Sequence, residues 1–187
     1  AFNEARNMVD GLDMPRNVYE EVCRLYEKCV DKELVRGRSM EKVVAALIYI
    51  VGREHGCPRS LQELSNVSGI GKTEVSRCYR FVGRELGKDI VPADPSDFVP
   101  RFCSKLDLPG FVRGRAYELV KKVDDGLLCD GSPTGVAAAC VYLASILEDD
   151  KVTQSSICSV VDVSEVTLRK KYKKLSNDLG LEKQIKH

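Results

Sequence analysis

The sequence lacks the residue spacings that hold a structural zinc ion. Its eight cysteines include no C-x-x-C pair, and neither of its two histidines, His55 and His187, is spaced with a cysteine as a zinc site requires. We therefore expect no metal or other cofactor in this chain. Cys140 lies within an apolar stretch, and Cys23 and Cys29 lie within a helical one, which is typical of buried free thiols in a reducing cytosol.

Long apolar runs and catalytic signatures are also missing. No run of about 18 apolar residues occurs, so the sequence predicts no membrane span. The first ten residues, AFNEARNMVD, are polar and acidic and are not typical of a signal peptide. The segment Gly69-Ile70-Gly71-Lys72 lacks the first glycine of a phosphate-binding loop, and two histidines leave little general-base chemistry near neutral pH. We therefore predict that the protein is not an enzyme.

Acidic and basic residues nearly balance. The formal net charge is +1, so overall charge does not predict a polyanionic partner. The bases are unevenly distributed, however, because RKKYKK at 169–174 contains five of them in six residues. A nearly neutral chain with one concentrated basic segment is more typical of a docking protein than of a nonspecific DNA coat.

The basic segment belongs to residues 153–175, which the sequence predicts to be two short helices joined by a tight turn. Thr153 is a suitable N-cap for the first helix, and Ser164 for the second. The apolar side of the first helix carries Ile157 and Val160. The apolar residues of the second follow helical spacing along one face: Leu168, Tyr172, Leu175 and Leu179. The opposite side carries Val166, Arg169, Lys170 and Lys173, with Lys171 and Lys174 expected as solvated flanks. This layout indicates a helix-turn-helix DNA reader.

A second copy of this pattern occurs earlier in the chain. Shifting the first half by 93 residues superimposes the apolar stretch Val43–Val51 on the apolar helix within residues 130–147. The tyrosines at 49 and 79 then fall on those at 142 and 172. Apolar positions stay in register over about 50 residues, which indicates a duplication rather than chance.

Each half is predicted to contain five helices, with the all-apolar third helix at the centre of a bundle. In the first half, the second helix is expected to run to about Val35, and a capping box of Ser60 and Glu63 opens the fourth. The linker Lys88–Pro95 contains two prolines that cannot continue a helix. The predicted fold is therefore all-α, with two tandem five-helix domains, 1–90 and 91–187, each ending in a helix-turn-helix pair.

Five helices around a central apolar one, duplicated in tandem, resemble the cyclin box. A closer resemblance is carried by five strings: GRSMEKVVAALIYIVGREHGCPRS, SRCYRFVGREL, PADPSDFVPRF, DGSPTGVAAACVYLAS and VSEVTLRKKYKKL. Together they resemble transcription factor B of archaea, the counterpart of eukaryotic transcription initiation factor IIB. The resemblance covers essentially the whole chain. It implies two cyclin-like repeats and a role in transcription initiation, in the archaeal cytoplasm near the nucleoid or in a eukaryotic nucleus.

The resemblance also implies partners. The family bridges TATA-binding protein and promoter DNA, and it normally begins with a zinc ribbon that engages RNA polymerase. No zinc-ligand cysteine pattern is present here, so we expect the ribbon and most of the polymerase contact to belong to an N-terminal part outside this sequence. We expect the chain itself to be a monomer.

For the second domain, the resemblance implies that the helix-turn-helix reads a purine-rich element upstream of TATA in the major groove. The matching helix is 164–179. The implied DNA-binding residues are Glu165, Val166, Thr167, Arg169, Lys170 and Lys173. Their chemistry fits, because arginine can bond guanine O6 and N7 together, valine can pack on a thymine methyl, and lysines suit phosphates. For Glu165, a first-turn acid favoured by the helix dipole is an equal alternative.

For the first domain, the resemblance implies a basic surface that meets the acidic C-terminal stirrup of TATA-binding protein. The matching residues are Lys72, Arg77 and Arg80. Ser76 aligns with Arg169, so this copy lacks the base-reading arginine, and the implied complex has a defined polarity on the promoter. Arg59, in the loop before the fourth helix, is a candidate for a downstream phosphate contact or is a plain loop arginine.

An alternative function is a cyclin-like regulator that acts through a kinase partner without DNA. Such a protein has no need for a basic reading helix, so RKKYKK favours the transcription factor. DNA binding that depends on TATA-binding protein distinguishes the two functions.

Overall fold

The computed structural model describes residues 1–90, 92–123 and 132–182. These residues form helices and no strands, which confirms the predicted all-α class. The chain forms two compact units, with the division between Ala93 and Asp94. Among the helices of the described residues, none combines the length and apolar character that crossing a bilayer requires.

The first unit contains five α-helices. They are α1 (Phe2–Gly11), α2 (Arg16–Asp31), α3 (Met40–Glu54), α4 (Leu61–Ser68) and α5 (Lys72–Glu85). The central helix is α3, because it packs against all four others and every residue from Val43 to Gly52 is buried. Ser39 caps α3, and the predicted capping box of Ser60 and Glu63 opens α4.

The second unit repeats this arrangement. A 3-10 turn, Pro95–Phe98, leads into α6 (Val99–Lys105) and is followed by α7 (Gly110–Lys121), α8 (Pro133–Leu147), α9 (Gln154–Val160) and α10 (Glu165–Asp178). The apolar helix α8 contacts each of the others in its unit. Fully burying one large aliphatic side chain on such a helix contributes about 1.5–3 kcal/mol to the free energy of folding. The side chains of α3 and α8 therefore form the centre of the hydrophobic core in their units.

The two copies also repeat their turns. Asp13 and Asp107, in the matching strings LDMP and LDLP, have left-handed backbones with φ of 50° and 52°. Beyond the central helices, Gly56 and Asp149 are likewise left-handed, at 64° and 56°. A left-handed residue is costly for most side chains, and aspartate tolerates it better than most. The duplication is therefore visible in backbone conformation as well as in apolar spacing.

One predicted helix boundary is wrong. Helix α2 ends at Asp31 and does not continue to Val35. Glu33 adopts a left-handed φ of 58°, and the Leu34 N–H donates to the Cys29 carbonyl at 2.8 Å. This bond satisfies a carbonyl of the last helical turn and directs the chain away from the helix axis.

The cysteines of the described residues are free thiols. Cys29, Cys78, Cys103 and Cys140 are buried, whereas Cys23, Cys57 and Cys158 are half-buried. Burial raises the pKa of Cys140 to about 12 and the pKa of Cys29 and of Cys103 to about 11, so these thiols stay protonated near neutral pH. Within the described ranges, no group of His, Cys, Asp and Glu is arranged to hold a metal ion. Cys129 and His187 lie outside those ranges.

Candidate nucleic-acid interface

The predicted helix-turn-helix of the second unit consists of α9 and α10. Thr153 caps α9 by accepting a hydrogen bond from the Ser156 N–H, and Ser164 caps α10 by accepting one from the Thr167 N–H. Between the helices, Val161 is extended and its carbonyl accepts from the Val163 N–H at 2.7 Å. The connection is therefore short, and the side-chain cap of Ser164 fixes the end at which α10 begins.

The inner face of this pair anchors it to α8. Leu168, Tyr172 and Leu175 of α10 are buried, and Leu179 lies just past the helix end and is half-buried. On α9, Ile157 is buried as expected, but Val161 rather than Val160 is the second buried residue. The inner face fixes the rotation of α10 about its own axis, and this rotation decides which side chains face outwards.

All six DNA-binding residues predicted on α10 are exposed. They are Glu165, Val166, Thr167, Arg169, Lys170 and Lys173. Val166 is 77% exposed, which is the largest exposed fraction among the large hydrophobic residues described. An exposed valine surrounded by basic side chains is consistent with an apolar contact outside the protein, such as a thymine methyl group.

Arg169 is held by a residue that the sequence did not indicate. Its Nε–H donates to Gln154 Oε1 at 3.3 Å, and Gln154 Nε2 donates to the Tyr142 hydroxyl at 3.2 Å. The Tyr142 ring packs on Tyr172, with ring centroids 4.8 Å apart. Burial raises the pKa of Tyr172, while nearby Arg169 and Gln154 act in the opposite direction. These four residues connect the exposed guanidinium to the core of the unit.

Lys171 corrects a second expectation. It is only 8% exposed, so it is not a solvated flank. Its aliphatic chain lies over Gly135 of α8, where a Cβ would come within 3.0 Å of Lys171 Cε. Burying the aliphatic stem along a neighbouring helix is a usual way in which lysine enters a packed surface.

In the first unit, the candidate surface is the outer side of α5. Lys72, Arg77 and Arg80 are exposed there, as is Arg84. Ser76, which aligns with Arg169, is half-buried. The unit keeps the tyrosine pair, because Tyr49 and Tyr79 have centroids 4.4 Å apart. The hydroxyl of Tyr49, however, accepts a hydrogen bond from Arg53 Nη2 at 2.6 Å, so the partner comes from α3 itself.

Arg59 does not lie at a position from which it can reach a phosphate. It is 5% exposed, and its guanidinium donates to backbone carbonyls of the preceding loops. The acceptors are Leu12 at 2.8 Å, Asp13 at 2.8 Å, Cys57 at 3.0 Å and Pro58 at 3.2 Å. The burial and these bonds favour the alternative of a structural loop arginine, whose side chain holds two loops together.

Comparisons with known proteins identify relatives over nearly the whole chain. Residues 1–85 and 88–178 each match the family described as "Transcription factor TFIIB repeat". The chain is 44% identical over 183 residues to "Transcription initiation factor IIB" of Archaeoglobus fulgidus, covering 97% of this chain and 56% of that protein. The protein of the same name from Methanoculleus marisnigri is also 44% identical over 183 residues, with 97% and 54% covered. "Transcription initiation factor IIB 7" of Halobacterium salinarum is 40% identical over 182 residues, with 97% and 56% covered. The chain thus spans about half the length of the curated relatives it matches.

Proposed function

Because the chain belongs to the transcription factor IIB family, through two TFIIB repeats that cover most of its length, we propose that it is the promoter-binding core of a general transcription initiation factor. In this role it binds the complex of TATA-binding protein with promoter DNA and recruits RNA polymerase together with other parts of the factor. It catalyses no reaction, and its relatives are named as initiation factors.

The proposal rests first on the outer face of α10. Arg169, Val166 and Lys170 are exposed on one short helix whose opposite side is buried. In a major groove, Arg169 would bond guanine O6 and N7, which is worth about 1–3 kcal/mol of discrimination between bases. Val166 would pack on a thymine methyl, while Lys170 and Lys173 would bind phosphates and give affinity without sequence information. An upstream purine-rich element is the DNA that this combination suits.

The first unit offers a different contact. Lys72, Arg77 and Arg80 give α5 an exposed basic side, and Ser76 stands where the second unit has Arg169. A basic surface without a base-reading arginine suits an acidic protein surface, which we propose to be the C-terminal stirrup of TATA-binding protein. Complementary charge there would speed association and fix the orientation of the complex.

Two unlike contacts on one chain explain how polarity is set. Each contact alone is weak. Once one unit is bound, however, the other meets its own binding site at a high effective concentration, because a short linker joins the two units. Only one orientation on the promoter lets the first unit meet TATA-binding protein while α10 meets the upstream element. The proposed direction of binding rests on the difference between the two copies, since the second has Arg169 where the first has Ser76.

The experiment is a gel shift on a TATA promoter fragment, with and without an archaeal TATA-binding protein. Wild-type protein should form a ternary complex, and it should prefer a fragment with the native upstream element over one with that element scrambled. Arg169→Ala should still join the complex but lose most of the preference. Arg113→Ala, which removes an exposed arginine from α7 of the same unit, is the matched control and should keep it. If no ternary complex forms at low salt, the proposal fails and a cyclin-like protein partner becomes the better hypothesis.

A further inference from the structure

We propose that Gln154 is a positioning residue that sets the sequence specificity of Arg169. The inference rests on the proposed function, since it concerns how the arginine is presented to a base. Gln154 is the first residue of α9, directly after the Thr153 cap, and its side chain is half-buried between α8 and α10. It therefore lies where the two helices of the DNA reader and the central helix meet.

The hydrogen bonds of Gln154 give its amide a defined orientation. The Oε1 atom accepts from Arg169 Nε at 3.3 Å, so the Nε2 atom is the one that faces the Tyr142 hydroxyl, to which it donates at 3.2 Å. An amide has a donor end and an acceptor end, and a reversed amide would face the arginine with its own N–H groups. The arginine, which can only donate, thus decides which end of the amide faces it, and the Tyr142 hydroxyl anchors the other end, so that the glutamine holds the arginine in place.

The bond also selects which nitrogens of Arg169 are available. A guanidinium has five N–H donors in a planar fork, and the Nε–H is used here within the protein. Among the described residues, neither terminal nitrogen of Arg169 has a hydrogen-bond partner. The two terminal nitrogens are the donors that remain to span O6 and N7 of a guanine end-on. Because the rotamer is fixed before binding, less conformational entropy is lost when the base is contacted.

The first unit provides an internal comparison. Its tyrosine pair is retained, but the position that aligns with Gln154 is Leu61, and the position that aligns with Arg169 is Ser76. The Tyr49 hydroxyl is satisfied by Arg53, whose counterpart in the second unit is Ile146. The packed rings therefore do not require a glutamine. Gln154 and Arg169 occur together in the second unit, and the first unit has neither a glutamine nor an arginine at the aligned positions.

The test compares ternary-complex affinity on two promoter fragments, one with the native upstream element and one with it scrambled. The preference is the ratio of the two affinities. Gln154→Met keeps the length of the side chain and removes both polar ends, and it should reduce the preference by about 2- to 10-fold, the range expected when one ordered side chain becomes mobile. Affinity for the scrambled fragment should stay unchanged. Gln62→Met on α4, where Gln62 bonds only its own helix neighbour Asn66 in the described residues, is the matched control and should leave the preference as in wild type.

Coupling separates positioning from a direct contact. In an Arg169→Ala background, Gln154→Met should cause no further loss of preference, because the group that it orients is gone. An equal loss in both backgrounds, or a loss on both fragments, would mean that Gln154 contacts DNA by itself and would overturn the inference. If wild type shows the preference and Gln154→Met retains it in full, the inference fails while the proposed function stands. If wild type shows no preference, the proposed function fails and the inference falls with it.

A measurement without DNA checks the same hydrogen bond. The Arg169 Nε–H signal in a nitrogen-15 correlation spectrum should exchange with water more slowly in wild type than in Gln154→Met. Thermal unfolding of both proteins excludes loss of the fold as the cause. Equal exchange in the two proteins would remove the structural basis of the inference.

Discussion

The side chain of Lys171 crosses the Cα of Gly135, leaving 3.0 Å between Lys171 Cε and the place where a Cβ would stand. The aligned pair in the first unit is Lys42 and Cys78. The lysine is thus on the central helix in one copy and on the last helix in the other, and each time a smaller residue occupies the opposing position. Between the copies, the lysine has thus changed from the central helix to the last helix at one aligned pair of positions.

This exchange predicts energetic coupling between Gly135 and Lys171. Gly135→Ala should gain helix propensity but push against the lysine, whereas in a Lys171→Ala background it should gain propensity without that contact. The approach of the new Cβ to Ser132 Oγ, at 3.2 Å, is common to both backgrounds and cancels in the cycle. The double-mutant cycle should give a coupling of about 0.5–3 kcal/mol. Urea unfolding of the four proteins measures it, and strictly additive free energies of unfolding would show that the contact carries no energy.

Loss of a helix cap should weaken the reading helix specifically. Ser164→Ala removes the acceptor of the Thr167 N–H and should lower stability by about 1 kcal/mol. Ser155→Ala, at an exposed serine inside α9, is the control and should change stability by less. Thermal unfolding gives the stabilities, and amide hydrogen exchange in the first turn of α10 should be faster only in Ser164→Ala. Equal effects of the two substitutions would contradict the capping role.

Arg59 should matter for stability and not for DNA binding. Arg59→Ala leaves carbonyls at residues 12, 13, 57 and 58 without their donor and should cost at least about 2 kcal/mol of unfolding free energy. Arg36→Ala removes an exposed ion pair with Glu33 and should cost less than about 1 kcal/mol. At a temperature where all variants are folded, the salt dependence of ternary-complex affinity should equal that of wild type. A shallower salt dependence for Arg59→Ala than for wild type would instead support a contact between Arg59 and a DNA phosphate.

The buried thiol of Cys140 should make stability fall at high pH. Burial raises its pKa from the ordinary 9.0 to about 12, so between these values the unfolded chain loses a proton that the folded chain keeps. The contribution is fully present below pH 9 and is lost as pH rises towards 12, by up to about 1.4 kcal/mol per pH unit. Unfolding free energies of wild type and Cys140→Ala between pH 8 and about 10.5 measure the difference in slope. Parallel curves would show that Cys140 does not titrate differently in the two states.

Exchanging the aligned residues of the two units should weaken the proposed direction of binding. A protein with Arg169→Ser and Ser76→Arg moves the base-reading arginine to the first unit and should lose most of its orientation preference on a promoter with a symmetric TATA element. Footprinting on either side of that element measures the preference. Arg36→Ser with Ser104→Arg, an exchange at exposed positions outside both proposed contact surfaces, serves as the comparison. Unchanged orientation in the first protein would count against this explanation of polarity.

Sequence periodicity predicted the helices, the central positions of α3 and α8, and the caps at Ser39, Ser60 and Ser132, because these depend on residues close together in the chain. It failed at α2, where a left-handed Glu33 ends the helix without the glycine that normally marks such an end. Local pattern could not indicate two of the four acceptors of Arg59, the carbonyls 46 and 47 positions earlier in the chain.

Helical spacing predicted the exposed positions Val166, Arg169, Lys170 and Lys173, and the family resemblance added Glu165 and Thr167. Neither indicated the link between Gln154 and Arg169. That link depends on how α9 and α10 pack, which spacing does not determine. A signal for Lys171 was present in the duplication, since Lys42 and Cys78 align with Gly135 and Lys171. Comparing the copies pair by pair, rather than position by position, would have found it.

The two tyrosine pairs bear on how such a protein evolves. Both pairs keep their rings in contact, Tyr49 with Tyr79 at 4.4 Å and 35° and Tyr142 with Tyr172 at 4.8 Å and 60°. The hydroxyls of Tyr49 and Tyr142, however, accept hydrogen bonds from residues of different helices. Substitutions at the surrounding positions can therefore accumulate without disturbing the rings. Two identical modules would present the same surface twice and give a complex no preferred direction. Differences at a few outer positions, such as Arg169 against Ser76, make the modules unlike while the paired rings are kept in both.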